Sequence, residues 1–205
     1  MRPPPRGDKR LTKLLERIPA LLVTLRVVLA GVVILMAWQH RQGFPMATVI
    51  VIALLSDIYD GNIARRFGVE NAALRRADSA ADTIFYAAAA YAAWILVPNV
   101  VRGVKFILAL LISFEALRYC FDYLKFRREA SYHSYSAKLW GLVLATALTL
   151  LLAFNVSGWI LRSAIWIGIV SDMEGLAISM VLPIWRHDVH SIFHALRLRT
   201  QLSSI

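Results

Sequence analysis

Apolar residues run along this chain in six blocks parted by short polar stretches, and each block is about as long as a bilayer is thick. The blocks cover about Ile18 to Trp38, Phe44 to Ala64, Ala77 to Val97, Val104 to Leu124, Ala137 to Phe154 and Gly158 to Ile184. Each lies near the length of about 20 residues that a helix needs to cross the hydrocarbon core. The connections are short, and several hold Gly or Pro (Gly43, Pro45, Pro98, Gly103, Gly158), as turns between helices do. Ahead of the first block, Leu11, Leu14, Leu15 and Ile18 recur at helical spacing against Lys9, Arg10, Lys13 and Arg17. That alternation predicts a short amphipathic helix on the membrane surface. Behind the last block, Val189, Ile192, Phe193 and Leu196 read as one face of a segment lying on the same surface. The pattern predicts an all-α, polytopic membrane protein with six transmembrane helices. Its parts are a basic segment 1–17 with the surface helix, a transmembrane domain 18–184 and a tail 185–205.

Composition narrows the class further. The chain has 205 residues, of which 59% are hydrophobic, and a mean hydropathy of +0.59, too apolar for a soluble globule. The net charge of +10 does not point to nucleic acid, because the Lys and Arg residues fall between apolar blocks and form no basic domain. Counted over alternate loops, seventeen basic residues lie on one side and four (Arg41, Arg102, Lys105, Arg162) on the other. By the positive-inside rule the richer side, with both termini, is cytoplasmic and faces anionic lipid. The length of the first block, its internal Arg26 and the lack of a small-x-small site after it argue against a cleaved signal peptide. The single Cys120 forms no intrachain disulfide and is read as a packed core residue.

Against this background, four aspartates stand out: Asp57 and Asp60 near the end of the second block, Asp78 and Asp82 at the start of the third. A carboxylate at mid-bilayer costs about 2.5–3.5 kcal/mol, so acids at this depth are functional-site candidates. On a helix Asp57, Asp60, Gly61, Ala64 and Gly68 share one face, an acidic notch flanked by residues with little side chain. Asp78 and Asp82 are one turn apart, and the loop between brings the chain back antiparallel, so the two pairs are expected to face each other. Asp57 lies about 12 Å along its helix from Arg65, which puts the notch in the inner leaflet, open to the cytoplasm. Four clustered carboxylates cannot all stay ionised without a cation. An all-oxygen set with no His or Cys suits Mg²⁺ or Mn²⁺. Such ions keep positions open for substrate phosphates, and Arg65, Arg66, Arg75 and Arg76 ring the same mouth. A phosphate or diphosphate compound arriving from the cytoplasm is the expected substrate, with Gly61 and Ala64 letting a nucleotide approach the backbone.

The string Asp57-Ile-Tyr-Asp60-Gly61-Asn-Ile-Ala64-Arg65, followed by Asp78-Ser-Ala-Ala-Asp82, closely resembles the signature of the CDP-alcohol phosphotransferase family of integral membrane enzymes. The resemblance implies six spanning helices, a homodimer, and transfer of a phosphatidyl or similar group from a CDP-linked alcohol to an acceptor hydroxyl with release of CMP. It implies that Asp57, Asp60, Asp78 and Asp82 bind metal, that Asp82 is also the general base, and that Gly61, Ala64 and Arg65 belong to the nucleotide pocket. Ile18-Pro19 with Arg26 resemble the family's opening segment, and Ser136-Ala-Lys138 the basic start of its fifth span. Where the family has a glycine four residues before its third aspartate, this chain has Leu74.

Other charged residues within the blocks have two readings each. Arg118 either neutralises Glu115 at i, i+3 or lines a pocket for an acceptor phosphate. Arg26 and Lys138 either snorkel to the interface or contact phosphate. Arg75 joins Arg118 and Lys138 as a candidate acceptor or phosphate contact. Asp172 and Glu174 are deep enough to face the bundle or a dimer contact and to need basic or hydroxyl partners there, Glu174 either in a structural hydrogen-bond network or in the active-site cavity. The expected partners are a CDP-linked lipid donor, a small polar alcohol that the arginine-rich mouth favours in phosphorylated form, and membrane lipid. A divalent cation transporter or channel is the rival reading. It predicts acids on both sides of the bilayer, whereas the extracytoplasmic loops contain no Asp or Glu and no internal repeat is visible.

Overall fold

A computed structural model describes residues 9–68, 72–128, 132, 134–185 and 189–202; within these, the side chains of 9–16, Arg65, Arg66, Ala72, Arg75 and 201–202 are left undescribed. Among the described residues there are seven helices: α1 (Lys9–Trp38), α2 (Phe44–Phe67), α3 (Ala72–Leu96), α4 (Pro98–Phe126), α5 (Tyr135–Phe154), α6 (Trp159–Val181) and α7 (Ile192–Leu202). Among the described residues, four stretches are long and apolar enough to cross a membrane: Arg17–Trp38, Phe44–Ala64, Tyr135–Phe154 and Trp159–Val181. α3 and α4 are 25 and 29 residues long but carry charged residues, in the first half of α3 and along the whole of α4. The expected short surface helix has no break after it, because α1 runs without interruption from Lys9 through Pro19 to Trp38. The structure is that of an all-helical membrane protein.

The chain forms two compact units, one made of residues up to Pro98 with Leu148–Val156, the other of Asn99–Ala147 with Ser157–Ile205. In the first unit α1 packs against both α2 and α3. The reason lies in a buried stripe. Pro19, Val23, Arg26, Ala30, Val33 and Ala37 of α1 are buried and follow one another at alternating steps of four and three, the spacing of a helix–helix seam. α2 answers with Met46, Ile50, Ala53, Asp57, Asp60 and Ala64 in the same rhythm, all buried but Asp57, which is half-buried. α3 supplies Phe85 and the small residues Ala81, Ala88, Ala89 and Ala92, which let helix backbones come close. At the opposite end of the unit Gly43 donates its N–H to the carbonyl of Ala153 at 2.7 Å, and Phe44 meets Phe154 edge-on.

Helix ends follow local rules. α2 stops at Gly68, which has φ 65°, a left-handed backbone that glycine adopts without penalty. Gly68 is therefore an exposed turn residue and does not extend the acidic face of α2 as its spacing suggested. α1, α4 and α5 also end in positive-φ residues, His40, Arg127 and Asn155. α6 is closed at its C-terminus by a side chain: Lys125 Nζ donates to the carbonyls of Ser179 and Met180 at 2.8 and 3.1 Å. That puts a cation at the negative end of the helix dipole.

In the second unit α7 packs on α6, through a small core of Tyr132, Ile178, Leu182, Val189 and Ala195. This corrects the face read from the tail. Val189 and Ala195 are buried and Ile192 half-buried, while Phe193 and Leu196 are 73% and 45% exposed, because α7 turns the stripe Ile192, Ala195 and Leu198 inward. Cys120 is exposed as well, so it is no core residue.

Candidate active site

The aspartates that spacing placed on two helices converge on one residue of a third. Arg26 of α1 reaches into them, and its side chain is 2% exposed. Its Nη1 donates to Asp78 at 2.9 Å and to Asp82, both on α3. Its Nη2 donates to Asp60 and lies 3.5 Å from Asp57, both on α2. One guanidinium thus joins all four carboxylates. Carboxylate oxygens of Asp57, Asp60 and Asp78 lie within 4.8 Å of one another, so the two pairs do face each other.

The site is closed at one end and open at the other. Asp60 is 4% exposed at the side chain, whereas Asp57, Asp78 and Asp82 are 41%, 32% and 35% exposed. Asp60 with Arg26 forms the floor, and the other three acids form the rim. Gly61 is half-buried and Ala64 buried on α2, one turn or less beyond Asp60. Leu74 stands in the first turn of α3, half-buried. The side chains of Arg65 and Arg75, expected at the nucleotide and phosphate, lie outside the described residues.

Arg26 does not snorkel: it is buried, and the partners it meets are carboxylates. The seam spacing of α1 carried the signal, since Arg26 falls on the same stripe as Val23, Ala30 and Val33 and must therefore face protein. An unpaired guanidinium there would be untenable, and the acids of α2 and α3 are its counter-charges.

A second polar network belongs to the other unit. Arg118 pairs with Asp172 of α6, Nε to Oδ1 at 3.3 Å. Glu174 accepts from the hydroxyl of Ser136. Asp122, buried, accepts from Ser179, whose hydroxyl also meets Tyr132 Oη at 2.9 Å. Burial pushes the Tyr132 phenol up, with Ser179 opposing; the ring keeps its proton. Lys138 is exposed, with Nζ 6.0 Å from the Tyr135 ring centre. The deep acids Asp172 and Glu174 thus have the basic and hydroxyl partners that their depth demands.

The family model for CDP-alcohol phosphatidyltransferase matches residues 16–171, a range that holds Arg26 and all four aspartates. The chain belongs to the CDP-alcohol phosphatidyltransferase family. No curated protein and no solved structure matches it. Membership of the CDP-alcohol phosphatidyltransferase family identifies the chain as a transferase, of the class that moves a phosphatidyl group from a CDP-alcohol to an alcohol acceptor. The aspartates that carry the resemblance in the sequence are the ones gathered around Arg26.

Proposed function

We propose that the chain transfers a phosphatidyl group from a CDP-linked lipid, with diacylglycerol as the donor alcohol, to the hydroxyl of a small polar acceptor, releasing CMP in phospholipid biosynthesis. The observation that carries this reading is the convergence of Asp57, Asp60, Asp78 and Asp82, on two helices, at one partly open site.

The carboxylates fit a hard divalent ion. They are an all-oxygen donor set, and three of them bring oxygens within 4.8 Å of one another, close to the span of oxygens around Mg²⁺ or Mn²⁺. Such an ion, held by Asp57, Asp60, Asp78 and Asp82, would supply charge neutralisation of the diphosphate and of the departing CMP. The remaining work falls to side chains. Asp82, on the open rim, takes the proton of the attacking hydroxyl. Gly61 and Ala64 leave room for the nucleotide beside the α2 backbone, and Arg65 pairs with its phosphates. Arg75 is the candidate acceptor contact beside the aspartates, and the basic mouth favours an acceptor that carries phosphate.

The same reading places six helices across the bilayer, with both termini and the site on the cytoplasmic side and two copies in a homodimer. α3 and α4 count as spans because each is long enough, about 37 and 43 Å at 1.5 Å per residue. Several of their charges also have protein partners: Asp78 and Asp82 with Arg26, Arg118 with Asp172, Asp122 with Ser179. Catalysis then belongs to 18–184, with 1–17 and 185–205 as cytoplasmic flanks. The test is CMP release by the purified protein from radiolabelled CDP-diacylglycerol with a panel of alcohols, in Mg²⁺ or Mn²⁺ and in chelator. Metal-dependent release with one acceptor is expected. No release from any CDP-linked donor, together with metal-dependent ion flux in liposomes, would overturn the reading in favour of a transporter.

A further inference from the structure

We propose that Arg26 is the resident counter-ion of the aspartate site, that it competes with the divalent ion for the same carboxylates, and that loading the site requires its guanidinium to withdraw from at least part of them. This rests on the reading of the aspartates as a metal site.

Three observations support the exchange. The guanidinium stands between the two helices: Nη1 serves Asp78 and Asp82 of α3, and Nη2 serves Asp60 and Asp57 of α2. A divalent ion that binds both pairs needs that position. Second, the space is small. Carboxylate oxygens of Asp57, Asp60 and Asp78 lie within 4.8 Å of one another, room for one cation, so the guanidinium and the ion cannot both lie among them. Third, the grip is incomplete, because Arg26 Nε is buried without a hydrogen-bond partner. Withdrawal does not break a full set of bonds.

The charges set the direction of the exchange. A single guanidinium cannot neutralise four carboxylates, so the metal-free site stays negative and still attracts a divalent ion. Arg26 nevertheless removes much of the repulsion that would otherwise drive α2 and α3 apart at the rim. The chain thus carries its own stabilising cation for the metal-free state, at the cost of weaker metal binding.

The test compares the full-length wild type with Arg26→Gln and Arg26→Lys in detergent. Mn²⁺ affinity is measured by electron paramagnetic resonance, thermal stability with and without chelator, and CMP release in parallel. Arg26→Gln is expected to bind Mn²⁺ about tenfold more tightly or better, since a buried like charge beside the ion is gone. It is also expected to melt lower than wild type in chelator and to gain more than wild type when Mn²⁺ is added. Arg26→Lys, with one compact ammonium in place of a two-armed donor, is expected to fall between. Should Arg26→Gln fold only when purified with Mn²⁺, the rate of Mn²⁺ loss to chelator is compared, and slower loss than from wild type is expected. Unchanged or weaker Mn²⁺ affinity in Arg26→Gln, or equally fast loss, would overturn the exchange while leaving the function intact if wild type binds Mn²⁺ and releases CMP. Absence of Mn²⁺ binding in both proteins would overturn the exchange and the metal site together.

Discussion

Gly175 of α6 faces Arg118 of α4 so closely that a Cβ built on it would lie 2.9 Å from Arg118 Cδ. Seven residues earlier on α6, Gly168 meets α4 and α5 in the same way: its Cβ would fall 2.6 Å from Trp140 Nε1 and 2.8 Å from Leu111 Cδ1. The two glycines set how near these side chains come to the α6 backbone. Alanine at either is expected to destabilise the protein by about 1–3 kcal/mol, as overpacking does. Gly168→Ala is expected to be the more costly, because an indole ring cannot bend out of the way and an arginine stem can. Gly175→Ala acts instead through Arg118, which must shift while paired with Asp172. Thermal melting in detergent checks the order of the two.

Asp60→Ala is expected to damage the fold as well as metal binding. It removes the most deeply buried partner of Arg26, a guanidinium of 2% exposure; Asp57, Asp78 and Asp82 remain to neutralise it, so the expected cost is that of one charged hydrogen bond, about 1.5–3 kcal/mol. Melting in chelator reads the first effect, and Mg²⁺ titration calorimetry the second. Retained Mg²⁺ affinity in a folded Asp60→Ala protein would contradict the placement of metal on this set.

Asp82→Asn separates base from ligand. The amide keeps the size of the side chain and one oxygen toward the site, but it cannot take a proton. Turnover is expected to fall by roughly 10²–10⁴-fold, the worth of a positioned general base, while binding of the CDP-linked donor partly survives. CMP release and equilibrium binding of the donor, measured on the same preparation, check this. Normal turnover would remove Asp82 from the base role.

Leu74→Gly probes the one departure from the family's pattern. A leucine in the first turn of α3 occupies space that a glycine leaves to the nucleotide. Tighter binding of CDP-linked donor in the variant is expected, read by competition with labelled donor. Unchanged affinity would mean that Leu74 points away from it.

The aspartates were legible in the sequence because their spacing is local. Steps of three and four on a helix fix which side chains share a face, and the short link between Phe67 and Ala72 leaves the two helices little choice but to return side by side. Arg26 was not legible in the same way. A lone arginine eight residues inside an apolar block has the same neighbours in sequence whether it snorkels or meets acids from other helices, and only the seam spacing of α1 tells them apart. Arg118 shows the opposite error. The nearest acid in sequence, Glu115, is one turn away on the same helix, yet its ion pair is formed with Asp172, 54 residues on. A contact of that range depends on how α4 and α6 pack, which no local periodicity encodes. The tail failed for a subtler reason: Val189 precedes α7, so counting its face from Val189 gave a register that the helix beginning at Ile192 does not keep.

Buried Asp122 yields a prediction with a pH sign. It accepts from Ser179, and Ser179 in turn meets Tyr132 Oη at 2.9 Å. Ser179→Ala leaves Asp122 without that donor, and the expected cost is about 1–3 kcal/mol, that of a buried acceptor left unsatisfied. Tyr132→Phe is expected to cost less near neutral pH, because Ser179 can still serve Asp122. The two differ most at high pH. Burial raises the Tyr132 phenol above its ordinary value of 10.0, so the folded protein holds that proton more tightly than the unfolded chain does. A raised pKa contributes stability that is complete below the unfolded value and is lost as pH rises from there through the folded one. Wild type is therefore expected to lose stability on raising the pH above about 10, and Tyr132→Phe to lose less over the same interval. Melting temperatures of the two proteins across pH 9 to 11 decide it, and parallel curves would show that the Tyr132 proton contributes nothing to the alkaline loss.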